Sequence, residues 1–193
     1  MLSLKERIDL LENDLKADPP RISAYHDLPF AILRYDPQEE WMLRREVRLL
    51  ATRLKATGKE IITISLAKLL WDTIENAEGT EAIVDLERRQ GFERAQRQIT
   101  TYLSDPNWHL LPELLANEMN QYDPRKNIVF LTRTASLSPA IYHISKLLDE
   151  MQGHTKVPAI LFYPGSLEGA TGLRYMGMKE RESFGNYRVK IYS

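Results

Sequence analysis

Two stretches of this chain, Asn127-Ile128-Val129-Phe130-Leu131-Thr132 and Val157-Pro158-Ala159-Ile160-Leu161-Phe162-Tyr163, are apolar without the alternation of a half-exposed strand. Such strands must be covered on both faces, which is the situation of a parallel sheet flanked by helices. Between them lies a helical stripe, Ile141, Ile144, Leu147 and Leu148, opened by Ser138-Pro139 and closed by Gly153, as a βαβ crossover requires. Earlier blocks fit the same scheme. Ser3 and Glu6 form a capping box before the stripe Leu4, Ile8, Leu11 and Leu15. Phe30 to Leu33 reads as a buried strand, Asp36-Pro37 opens a helix carrying Leu43, Val47, Leu50 and Leu54, and Glu60 to Ile64 reads as a strand before Ser65 caps another helix. The spacing predicts an α/β fold: a mainly parallel sheet with helices on both faces. Its four central strands are expected at 28–34, 60–64, 127–132 and 157–163, with weaker strands at 173–178 and 187–192 on an edge.

Residues 72–123 offer no convincing strand and predict a helical insertion, with one long helix from Thr80 through Ile83, Leu86, Phe92 and Ile99. The 193 residues suit one domain spanning 1–193. With no cysteine, thiol nucleophiles, disulfides and Cys-ligated metals drop out. No signal peptide or membrane span is expected, and a cytoplasmic location is the corresponding expectation. The formal net charge of −1 conceals an asymmetry: residues 72–123 carry −7 and residues 124–193 carry +5. Either the two signs satisfy each other within the fold or they steer a charged protein partner. The acidic positions Glu78, Glu81 and Asp85 are read as helix-start, solvent-facing candidates for such contact.

Open α/β sheets bind ligands beyond the carboxyl ends of their strands. Those ends carry Arg34-Tyr35-Asp36, Ser65, Thr132-Arg133-Thr134 and Tyr163-Pro164-Gly165. Arg34, Asp36, Arg133, Tyr163 and Gly165 are therefore the candidate ligand or partner contacts, although Asp36 also suits an N-cap and the hydroxyls suit βα turns. No P-loop is present: Thr57-Gly58-Lys59 precedes a strand, and the glycine-rich 165–172 stretch lacks a closing Gly-Lys-Ser/Thr, so a flexible or bulged loop is expected there. His26, His109, His143 and His154 show no zinc spacing, and Ser138, His143 and Asp149 do not stack as a triad on one helix face. Arg44-Arg45-x-x-Arg48 is interleaved with Glu39, Glu40 and Glu46, which favours a solvated helix face over a phosphate site. No catalytic, metal or cofactor residue is assigned, and no enzyme activity is expected.

The blocks Phe30 to Pro37, Leu69-Leu70-Trp71, Asn127 to Arg133, Val157 to Gly165 and Gly185 to Tyr192, in that order, resemble the BrxB family of BREX bacteriophage-defence systems. The resemblance implies a place beside a methyltransferase, a large P-loop ATPase and the alkaline-phosphatase-like protein PglZ, in a system that methylates host DNA and restricts phage. It brings no catalytic motif. The expectation is a non-enzymatic adaptor without a cofactor, binding a PglZ-like protein and other BREX components. The alternative is a degenerate P-loop-like domain that binds a nucleotide or nucleic acid through Arg34, Asp36, Arg133 and the 163–172 loop.

Overall fold

The computed structural model describes residues 2–23, 28–108, 110–137, 141–169, 172–178 and 187–193. Its strands are β1 (Phe30–Tyr35), β2 (Glu60–Ser65), β3 (Asn127–Thr132), β4 (Ala159–Glu168), β5 (Gly172–Tyr175) and β6 (Lys190–Tyr192). Its helices are α1 (Leu4–Lys16), α2 (Glu40–Lys55), α3 (Leu66–Ala77), α4 (Thr80–Gln90), α5 (Phe92–Ser104), α6 (Leu111–Met119) and α7 (Ile144–Glu150). The sheet order is β2-β3-β4-β1-β6 with parallel neighbours throughout, and β5 pairs antiparallel with the outer part of β4.

The apolar strands are buried on both sides, as their composition demands. Phe30, Ile32, Val129, Leu131, Ala159 and Leu161 face the cluster built by α3, α5, α6 and α7. Their neighbours Ala31, Leu33, Ile128, Phe130, Ile160 and Phe162 face α1 and α2, which present chiefly Ile8, Leu11, Leu15, Leu50 and Leu54. Each fully buried leucine contributes about 1.5–3 kcal/mol relative to an exposed one. The crossover from β1 to β2 carries α2 over one face, whereas the return through β2, β3 and β4 carries its helices over the other. Right-handed crossovers impose that change of face when the direction of travel reverses.

Several expectations are corrected. The 60–64 strand is not central: β2 forms a sheet edge, with Glu60 and Thr63 exposed. The apolar Ile61-Ile62 pair hid this, because both are covered from above and below without a strand on the far side. The long helix expected from Thr80 is divided at Gly91, whose φ of 85° ends α4 and starts α5. The flexible or bulged loop expected over 165–172 is in its described part mostly strand, since β4 runs on to Glu168 and pairs with β5 from Gly172. Gly165 permits this, because a Cβ there would sit 2.2 Å from the Arg174 carbonyl oxygen. The terminal strand is shorter than expected, 190–192, although it does occupy an edge. Ser138-Pro139, His26, His109 and Gly185-Asn186 lie outside the described residues, and α7 begins after His143.

Candidate functional site

At the carboxyl ends of the strands, where α2 leaves for one face and the later helices for the other, lies a cleft of about 320 Å³. It is lined by Tyr35 at the end of β1, Glu40 and Arg44 of α2, Ala67 of α3, Arg133 and Ser136 after β3, Pro164 of β4 and Met176 after β5. This is the crevice in which doubly wound sheets receive ligands. A hollow of about 390 Å³, lined in part by Asn120, His154 and Lys156, lies at the amino-terminal ends of β3 and β4. It gathers fewer charged groups and is not at a change of crossover direction.

The local sequence explains how the cleft is built. Asp36 accepts from the Gln38 amide at 2.9 Å and Glu39 accepts from the Asp36 amide at 3.1 Å, so this capping box turns the chain from β1 into α2. The turn places Glu40 beside the strand it has just left. The Tyr35 hydroxyl donates to Glu40 Oε2, and Arg44 Nε donates to Glu40 Oε1 at 2.7 Å. Burial and the Glu40 carboxylate push the Tyr35 phenol well above its ordinary range. Burial alone would raise Glu40 as well, but hydrogen bonds from Tyr35 and Arg44, with the charges of Arg44 and Arg133, outweigh it and hold Glu40 below the usual carboxylate value. Arg44 also lies 4.8 Å from the ring centre of Trp41, which is 78% exposed.

Arg133 and Met176 have φ of 60° and 51°, the left-handed residues other than glycine among those described. Both line the cleft. A left-handed conformation costs a side-chain-bearing residue about 1–2 kcal/mol, and such strain persists where the surroundings or function require it. The Arg133 carbonyl accepts from the Ser136 amide at 3.0 Å and its hydroxyl at 2.8 Å, which fixes the turn after β3. The Arg133 guanidinium itself forms no ion pair within 4 Å among the described residues.

Of the residues expected at the strand ends, the cleft therefore takes Arg133. Arg34 is buried and does not line the cleft, its Nη1 donating to the Gly165 carbonyl at 3.4 Å and its Nε without a hydrogen-bond partner among the described residues. Burial and the nearby Arg7 lower its pKa, against the opposing charges of Glu39 and Asp36. Asp36 is occupied as a cap. Tyr163 is buried, edge-on to Tyr175 and Tyr187. Gly165 serves the hairpin. Among the acidic candidates, Glu81 is exposed in the first turn of α4, and Asp85 pairs with Arg88 and Arg89. Glu78 is not a helix-start residue: it caps the C-terminus of α3 and accepts from the hydroxyl of buried Tyr102, whose pKa is pushed up to about 12 by burial and by this carboxylate. The Tyr35–Glu40–Arg44 network escaped the sequence reading because Glu40 and Arg44 look like an ordinary i,i+4 surface pair, and nothing in sequence marks a carboxylate that bends back to the preceding strand.

Among the described residues there is no cluster of His, Asp and Glu able to hold a metal ion, and no helix long and apolar enough to cross a membrane. The family model described as BREX protein BrxB matches residues 62–191. The BREX protein BrxB of Bacillus cereus (strain H3081.97) is 24% identical over 148 residues, covering 75% of this chain and 74% of that relative. No solved structure matches the chain.

Proposed function

We propose the following role for this chain, which belongs to the BrxB family of BREX proteins: it is a non-enzymatic assembly subunit of a phage-defence complex, and it docks onto a companion protein. A PglZ-like protein of the alkaline-phosphatase superfamily is the first companion to test. The observation that carries the reading is the makeup of the cleft. Its carboxylate is held ionised by Tyr35 and Arg44, and its phenol is held protonated. Neither group is poised for proton transfer near neutral pH, which catalysis by such a pair would need. The cleft is lined instead by side chains suited to contact, with Met176 exposed and the Arg133 guanidinium without an ion pair among the described residues, and exposed Trp41 lies next to it, stacked on Arg44.

The test is co-purification of the tagged chain from cells carrying the neighbouring defence genes, followed by binding of the purified pair. A stable complex with the PglZ-like protein is expected. Absence of a complex at micromolar concentration and low salt rejects that companion. Turnover of ATP, nucleic acid or a phosphate ester by the purified chain, lost in Arg133→Ala without unfolding, overturns the non-enzymatic reading.

A further inference from the structure

We infer that the cleft seats a peptide segment of the companion protein, taking an acidic side chain on Arg133 beside a bulky apolar side chain packed against Met176 and Trp41. This rests on the assembly reading above and names the chemistry of its contact.

The charge of the cleft selects the ligand class. Arg44 and Arg133 contribute two positive charges, and Glu40, bonded to Arg44 at 2.7 Å, cancels one. A single remaining guanidinium matches a single carboxylate, with which it can form two parallel hydrogen bonds. The same cleft suits a nucleoside di- or triphosphate poorly, because the fixed Glu40 carboxylate would face the additional phosphate charges. The apolar contacts come from one residue that lines the cleft, Met176, and one beside it, Trp41. Met176 is 39% exposed and Trp41 78%, the latter already stacked on a cleft arginine. Exposed aromatic and methionine side chains of this kind are typical anchors of protein contacts.

The backbone supplies an independent argument. Arg133 occupies a left-handed position that glycine would occupy without steric cost. Its guanidinium is exposed and holds no ion-pair partner within 4 Å among the described residues, so beyond its charge beside Glu40 it is open to a carboxylate from outside. Arg133→Gly should therefore raise thermal stability or leave it unchanged while removing the proposed anchor. A purely structural arginine would behave in the opposite way.

Short overlapping peptides tiling the PglZ-like companion are the probes, titrated against the full chain by fluorescence polarisation, with ATP and a single-stranded oligonucleotide as separate arms. The expected result is binding by peptides that carry Asp or Glu next to an aromatic residue, Leu or Met. Arg133→Gly should weaken this binding at least roughly tenfold, and Trp41→Ala should weaken it too. Replacing the peptide's acid by its amide should weaken binding to the native chain but not to Arg133→Gly, as a direct pair requires. A lower Tm in Arg133→Gly overturns the backbone argument, and Arg133→Lys then tests the anchor by itself: coupling to the peptide's acid that is reduced but present supports it, and no coupling overturns it. If the intact companion binds and Arg133→Gly and Trp41→Ala stay within about twofold of the native affinity, the cleft assignment is wrong and the assembly reading stands. If the intact companion does not bind at all, the choice of that companion falls and takes this inference with it. Binding of ATP or the oligonucleotide in place of the peptides, lost in Arg133→Gly, assigns the cleft to phosphates and overturns the inference.

Discussion

Lys190 of β6 and Asp14 of α1, 176 residues apart, form an ion pair of 2.5 Å, and Tyr192 donates to the same carboxylate at 2.6 Å. This carboxylate fastens a three-residue edge strand to the helix that covers it. Asp14→Asn should cost about 1.5–3 kcal/mol, the usual loss for hydrogen bonds to a charged group. Urea denaturation would measure it, and faster amide exchange at Ile191 and Tyr192 than in β3 would locate it. Unchanged exchange in β6 would show that the strand is held by its backbone pairing alone.

Acid sensitivity should follow from Asp14 and Glu12. Burial pulls both pKa values up, but hydrogen bonds and charges from Lys190 and Tyr192 in one case, and Lys16 and Arg53 in the other, leave both below their ordinary values. A carboxylate whose folded pKa lies below its unfolded one stabilises the fold above the unfolded value, about 4.5 or less here, and loses that contribution as pH falls through the folded value. Tm should therefore fall more steeply below about pH 4 in the native chain than in Glu12→Gln/Asp14→Asn. Parallel curves would count against this assignment.

Charge reversal on the acidic segment should separate into two classes. Glu81→Lys changes an exposed position and Asp85→Lys a half-exposed one paired with Arg88 and Arg89, and each should alter stability by at most about 1 kcal/mol. Glu78→Lys leaves the hydroxyl of fully buried Tyr102 without its acceptor and should cost about 1–3 kcal/mol. If the charge of residues 72–123 steers a partner, the first two substitutions should slow association as salt does, with little effect on dissociation. Thermal melts and binding kinetics on the three single variants would check both points.

Gly165→Ala places a methyl group against the Arg174 carbonyl. The β4–β5 hairpin must shift to admit it, at about 1–3 kcal/mol. Phe130→Ala, which empties a fully buried position edge-on to Phe162, should cost more, about 3–5 kcal/mol. Denaturant midpoints should rank the two in that order, whereas Trp41→Ala should leave the midpoint nearly unchanged.

The strongly apolar strands were legible because burial on both faces leaves no polar alternation, and Asp36 and Ser65 announced their helices through capping chemistry. Edge position was not legible for β2, since Ile61 and Ile62 are half covered by helices whichever strand lies beside them. The division at Gly91 was obscured by apolar residues that keep helical spacing across it. At the cleft, Arg133 could be named from its place after β3, but Tyr35 and Glu40 meet only because the capping turn folds the helix start back over the strand. Arg34 misled for a related reason: one residue earlier on the strand, its side chain is buried and does not line the cleft.

The sheet order has a consequence for how the chain is made. Arg34 of β1 and Gly165 of β4 are 131 residues apart, and both strands that flank β1 come from the last part of the chain. During synthesis β2 and β3 can pair while β1, six residues with no exposed member, has neither neighbour. An apolar strand left in that state is open to association with other chains. The interval before β4 emerges is thus the period in which this strand is most exposed to such association.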